Sequence, residues 1–292
     1  MSARAYRHRR TARTMRVPGR ARPVPCAVVP VLPGGRRTRT VPSAARAALD
    51  RNAPRGRPMS STPEPPLRQN LRFTAGENEI YGYLALPPSG SGPGVIVIQE
   101  WWGLTDQIAA VADRLAASGY VALAPDLYGG RTTHDSADAF RMLQELPREE
   151  GVRKLLGAVD HLLGHEAVRG DALGAVGFCM GGGFVLSLAA AAGDRIAAAV
   201  PYYGIVTGED VDFGTVRAAV LGHYGDRDET IPRELPDQVA EEIRTAAGVP
   251  VEIHHYDAGH AFANDEDHLG TYDPELARTA WERTLAFLGE KL

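Results

Sequence analysis

Cysteine is scarce in this 292-residue chain, which has only Cys26 and Cys179, so a disulfide framework of the kind small secreted domains need is excluded. No apolar run approaches the ~20 residues of a membrane-spanning helix. The stretch from Cys26 to Leu32 is too short and too broken by proline to be the apolar region of a secretory signal. The phosphate-cradling pattern G-x-x-x-x-G-K-[ST] occurs nowhere, and no internal repeat is visible. A free thiol in a chain without these features fits a reducing cytosol, and the expected location is cytoplasmic.

Lysine is absent from residues 1–60, which hold 15 arginines against one acid, Asp50, a net +14. The rest carries 17 basic and 35 acidic residues, a net −18, so the chain as a whole stands at −4. Such a split suits a basic arm for nucleic acid or a membrane surface, or an organelle transit peptide. A third reading is favoured: Met59-Ser60-Ser61-Thr62 looks like an ordinary protein start, and the Arg/Ala/Pro/Gly bias before it is what a GC-rich untranslated region yields when translated. On every reading residues 1–65 are expected to be disordered, because they offer no apolar period to bury. The folded domain is then residues 66–292, with neither a nucleic-acid nor a membrane partner expected.

From Leu71 onward short apolar runs alternate with helical periodicity. Strands are expected at Gly94 to Ile98, Tyr120 to Ala124, Ala172 to Phe178, Ala197 to Tyr203, Ala218 to Tyr224 and Val251 to Tyr256. Helices are expected at Asp106 to Ser118, across most of Ala137 to Leu163, and at Phe184 to Ala192, Glu234 to Ala247 and Asp273 to Leu288. Apolar strands separated by helices predict an α/β fold, with a mostly parallel sheet covered on both faces. Leu71 to Phe73 and Ile80 to Ala85, joined through Gly76-Glu77-Asn78, predict an antiparallel hairpin at one edge.

Within this pattern Gly177-Phe178-Cys179-Met180-Gly181 sits at a strand-to-helix turn and matches G-x-nucleophile-x-G with cysteine in the nucleophile place. The turn is tight, so side chains at 177 and 181 would collide with their neighbours, and a helix N-terminus favours a thiolate. A buried cysteine is as often an inert small hydrophobe, so the partners decide. The pattern calls for an acid and then a histidine on later loops. Gly225-Asp226-Arg227-Asp228, after a strand, offers two acids. Asp228 lies farther into the loop and is preferred, while Asp226 suits a turn cap. Gly259-His260 places a histidine just past the last strand. No cofactor motif is present. His254, His255 and His260 with Asp257 make a poor metal set, since the consecutive strand residues His254 and His255 point to opposite faces.

These residues resemble the dienelactone hydrolase family, cysteine-dependent members of the α/β-hydrolase fold, over roughly Leu71 to Leu288. Six segments carry the likeness: Val97 to Leu104, Ala124 to Tyr128, Gly177 to Gly182, Tyr202 to Gly204, Gly225 to Asp228 and Ala258 to Phe262. The resemblance implies a Cys179, Asp228 and His260 triad acting on small esters or lactones, and no cofactor. It also implies that Glu100 lies beside the thiol and swings on substrate binding to help deprotonate it. Apolar neighbours such as Trp101 and Trp102 would raise the pKa of that carboxyl, as a base needs. The backbone amides of Trp101 and Met180 would form the oxyanion hole. Tyr202, Tyr203, Phe140 and Asn264 are the candidate substrate contacts.

The chain departs from the family where dienelactone enzymes place two arginines for the substrate carboxylate. Asn264 and Ser136 stand there, with Arg131 and Arg141 the nearest substitutes. Neutral substrates are therefore expected. The competing reading is a redox-sensing thiol on a hydrolase scaffold. Against it, no second cysteine lies in the folded region to resolve an oxidised Cys179.

Overall fold

The computed structural model describes residues 69–292; the Arg-rich segment 1–65 and Met59 lie outside them. In chain order the described residues form β1 (Leu71–Ala75), β2 (Asn78–Ala85), β3 (Gly92–Ile98), α1 (Asp106–Ala117), β4 (Val121–Pro125), α2 (Ser136–Gln144) and α3 (Arg148–Leu163). There follow β5 (Val168–Phe178), α4 (Met180–Ala192), β6 (Ile196–Tyr202), β7 (Ala219–Gly225), α5 (Leu235–Ala247), β8 (Val251–Tyr256) and α6 (Pro274–Lys291). Among the described residues no helix is long and apolar enough to cross a membrane.

One eight-stranded sheet runs in the order β1-β2-β4-β3-β5-β6-β7-β8. β1 and β2 pair antiparallel, β2 meets β4 antiparallel, and every pairing from β4 to β8 is parallel. This is the α/β-hydrolase architecture, with the expected hairpin at the edge. The parallel strands read as continuous apolar runs because helices cover both faces. Val95, Ile96, Val97 and Ile98 are all fully buried although they alternate sides. Ile96 and Ile98 belong to the core cluster that α3, α4 and α5 also enter, while Val95 and Val97 belong to the one entered by α1 and α6.

Several element ends shift by a few residues from the sequence reading, α4 for one beginning at Met180 instead of Phe184, and two of the differences have a local cause. The stretch Ala137 to Leu163 is two helices, since α2 ends at Gln144 and Pro147 precedes α3. Proline has no N–H to give and suits a helix start. β5 begins four residues earlier than expected, at Val168, because its first half is half-exposed and polar, with Arg169 and Asp171, and so carries no apolar signal.

The topology gathers the carboxyl ends of the parallel strands on one edge. Glu100 follows β3, Cys179 follows β5, Tyr203 follows β6, Asp228 lies past β7 and His260 past β8. Such an edge is where open α/β sheets bind ligands.

Candidate active site

Cys179 occupies a backbone conformation that L-residues avoid, φ 52° and ψ −117°, between the end of β5 and the first turn of α4. That strain, of order 1–3 kcal/mol, persists only where the surroundings over-determine it. Here the Cys179 N–H donates to the Tyr202 carbonyl at 3.0 Å, and its own carbonyl accepts from Gly182 N–H at 2.9 Å. A Cβ at Gly177 would overlap the Gly181 carbonyl, and one at Gly181 would overlap the carbonyls of Ile98 and Gln99. The elbow therefore closes only with glycine at both places. Positive φ recurs at Tyr203 and Ala261, the residues beside the ends of β6 and after His260, so the strain is concentrated around one edge.

The thiol is held by the histidine expected from the sequence. Cys179 Sγ lies 3.1 Å from His260 Nε2, and His260 Nδ1 lies 2.7 Å from Asp228 Oδ2. The other carboxylate oxygen of Asp228 accepts from the N–H and hydroxyl of Thr230, both at 2.7 Å, and from Ile231 N–H at 3.1 Å. Burial works against the Asp228 charge, but the bonds from His260 and Thr230 outweigh it and hold its pKa below the ordinary 3.8. Burial would likewise lower His260, yet the charges and hydrogen bonds of Cys179 and Asp228 hold it well above the ordinary 6.5. Asp226 is elsewhere: it pairs with Arg233 at 3.0 Å and with His255 at 3.2 Å.

Glu100 is buried, and its two oxygens are taken by neighbours other than the thiol. Oε1 accepts from the Tyr203 hydroxyl at 3.2 Å and Oε2 from the Asn264 side-chain N–H at 2.9 Å. Burial raises its pKa above the ordinary 4.5, and the bonds from Asn264 and Tyr203 offset that only in part. The tyrosine ring packs edge-on against His260, with centroids 5.3 Å apart, so Tyr203 touches both carboxylate and imidazole. Trp101 and Trp102 are buried in a small cluster with Ala139 and Met180. The amides of Trp101 and Met180, at the turn after β3 and the first position of α4, have no backbone acceptor among the described residues.

The structure places three of the expected substrate contacts as follows. Tyr202 lies in the core: its hydroxyl shares a 2.6 Å hydrogen bond with Thr284 and its ring packs on His223, because residue 202 still alternates within β6 and faces α6. Asn264 is a partner of Glu100, and its carbonyl oxygen accepts from Glu266 N–H at 2.9 Å, so both ends of the amide are already engaged. Phe140 stands exposed on α2, and its neighbour Ala139 is the residue packed under the tryptophans. Both substitute arginines are paired at the surface, Arg131 with Glu145 and Arg141 with Asp138. Two residues were missed from sequence: Thr230, which contacts both Asp228 and His260, and Tyr128, whose hydroxyl donates to Met180 Sδ at 3.2 Å. Thr230 follows the acid by two residues, the spacing of a side chain that caps its own turn, and that was its one available signal.

Comparison with known proteins places this geometry in context. The model of the Dienelactone hydrolase family matches residues 80–292. "Protein usf" of Aquifex pyrophilus is 33% identical over 231 residues, covering 77% of this chain and 99% of its own. "Putative carboxymethylenebutenolidase" of Escherichia coli K12 is 34% identical over 218 residues, covering 70% and 79%. A solved dienelactone hydrolase-like promiscuous phosphotriesterase from metagenomic libraries superposes with a TM-score of 0.67 at 26% identity, covering 76% of this chain and 96% of its own.

Proposed function

The chain belongs to the dienelactone hydrolase family and is a hydrolase of carboxylic esters or lactones; from that premise we propose that Cys179 is its nucleophile, His260 and Asp228 complete the triad, and Glu100 takes the thiol proton. The observation that carries this reading is the unbroken chain of contacts from Sγ through His260 to Asp228, at 3.1 and 2.7 Å, starting from a strained elbow.

On substrate binding Glu100 leaves Tyr203 and Asn264 and accepts the Cys179 proton. The thiolate attacks the carbonyl carbon, and the charge passes to the carbonyl oxygen, where the amides of Trp101 and Met180 donate to it. Collapse of this adduct breaks the ester C–O bond, and the leaving alkoxide takes a proton from the imidazolium of His260. Neutral His260 then removes a proton from water, whose oxygen attacks the thioester carbon; collapse breaks the C–S bond and releases the acid, and the departing thiolate recovers its proton from Glu100. Asp228 fixes the imidazole with Nδ1 protonated and balances its charge. Because thioesters hydrolyse slowly, activated or cyclic esters are the favoured class.

Neutral substrates suit the site better than carboxylate-bearing ones. Asn264 is spent on Glu100, Ser136 is exposed, and Arg131 and Arg141 are paired on the surface. A charged hydrogen bond contributes roughly 1.5–3 kcal/mol, so each missing arginine is worth about one to two decades in kcat/KM. The test is Cys179→Ala with a neutral activated ester, together with denaturing mass spectrometry of quenched wild type. Turnover should vanish with the melting temperature kept, and wild type should carry the acyl mass on the peptide containing Cys179. An unchanged kcat in the variant would sink the covalent route, and a preference of about tenfold or more for the free acid over its methyl ester would sink the neutral-substrate reading.

A further inference from the structure

Beside the catalytic edge three side chains turn metal-ligating atoms toward one point. His134 Nδ1 lies 2.9 Å from His268 Nε2, which lies 3.1 Å from Glu266 Oε2, and all three atoms fall within 4.8 Å of one another. Two of these residues are exposed and one half-buried, so a hydrated ion has access. They come from separate loops, His134 from the one before α2 and the other two from the one before α6. The ligand atoms of a tetrahedral zinc stand about 3.3 Å apart, given Zn–N bonds of roughly 2.0–2.1 Å. The two spacings about His268 are near that figure, and the third falls within 4.8 Å.

Protons serve this cluster poorly. With both imidazoles neutral, His268 Nε2 faces a carboxylate oxygen on one side and His134 Nδ1 on the other, so one N–H must serve two acceptors or two lone pairs must face each other. A cation satisfies all three at once. Both loops are fixed by their own bonds: Thr133 N–H donates to the Trp102 carbonyl at 3.0 Å, and Asp273 N–H to the Phe262 carbonyl at 3.0 Å. The Trp102 ring also lies edge-on to His268, with centroids 5.1 Å apart, giving the site an apolar wall.

We propose that His134, Glu266 and His268 form a divalent cation site of the zinc class that clips the loop before α2 to the loop between His260 and α6. Two imidazoles and one carboxylate select zinc and its borderline neighbours over magnesium or calcium, which take oxygen donors. The fourth position remains open to water. The clip spans Trp102 and the loop that carries Asn264, so its occupancy sets how far those two walls of the catalytic cleft can part.

The experiment is calorimetric titration of the full, tag-free chain with zinc chloride. It is run on wild type, on Cys179→Ser to remove the competing thiol, and on Cys179→Ser combined with His134→Ala, His268→Ala or Glu266→Gln. One equivalent should bind to Cys179→Ser as to wild type. Each added substitution should weaken binding by more than the roughly 10- to 100-fold that loss of a mere supporting residue costs. All three side chains reach solvent, so the variants should keep the parental melting temperature without metal. Absence of binding, affinity in the His268→Ala and His134→Ala variants equal to that of Cys179→Ser itself, or loss of binding in Cys179→Ser alone would each overturn the assignment, the last by placing the metal on the thiol.

Discussion

Glu100 is the residue whose environment and proposed task pull hardest against each other. A carboxylate in that buried place costs stability wherever it is ionised, and a base must be ionised to work. Its folded pKa stands above the ordinary 4.5, so the protein gives up stability as pH rises through 4.5 toward the folded value, and the deficit is complete beyond it. Glu100→Gln should therefore match wild type near pH 4 and equal or exceed its melting temperature at neutral pH, while losing about 10²- to 10⁴-fold in kcat. The amide fits because Tyr203 can reverse its hydroxyl and accept, leaving Asn264 to donate as before. A variant less stable than wild type at neutral pH would show that the site is built for the charged form. Asn264→Ala removes one donor that holds the carboxylate's pKa down, so the acidic limb of the kcat/KM profile should move to higher pH. An unmoved limb would detach Asn264 from the proposed base. The meeting of Cys179, His260 and Asp228 was legible in the sequence because chain order and turn chemistry mark them. The Glu100 to Asn264 bond was not, since it joins residues 164 apart through a fold that no local pattern encodes.

Among the elements, the elbow between β5 and α4 is the most tightly specified, and its fit depends on a third segment. A Cβ on Gly204, just past β6, would overlap the Cys179 carbonyl oxygen and press on Gly182 and Gly183. Gly204→Ala must therefore displace backbone, and we expect a loss of 1–3 kcal/mol or more, with activity falling further than stability as the thiol leaves its 3.1 Å contact. Gly208→Ala is the control, because its new methyl would meet only the flexible end of Glu242 at 3.2 Å and the Phe213 ring at a looser distance. Equal melting temperatures and equal kcat in the two variants would count against the elbow's dependence on β6. The strands around this elbow were legible as apolar runs because both faces of the sheet are covered. Gly204 gave no such signal, since its constraint is a backbone from β5 passing close by. The early half of β5 also escaped notice, because polar residues such as Arg169 and Asp171 lie there without being buried.

At the scale of the whole molecule the described residues close their own core. Helices α3, α4 and α5 cover one face of the sheet and α1 and α6 the other, and the first described side chains are already tied down. Gln69 donates to Asp126, and Asn70 exchanges hydrogen bonds with the backbone of Leu84. A chain beginning at Met59 keeps both of these contacts and every strand, while it sheds all 15 arginines of the segment before it. Its net charge falls from −4 to −18, a change that acts through long-range repulsion and solubility rather than through packing. We therefore propose that residues 1–58 contribute nothing to folding or turnover. The shortened protein should match the full chain in melting temperature and in kcat/KM on a neutral ester at 0.15 M salt, where charges beyond about 8 Å are screened. For a domain of this size ~1 kcal/mol corresponds to roughly 2–4 °C. A fall larger than that on truncation would mean that the basic segment packs against the acidic body. In that case added salt should lower the full chain's melting temperature toward that of the shortened one, since only the full chain would have attraction to lose.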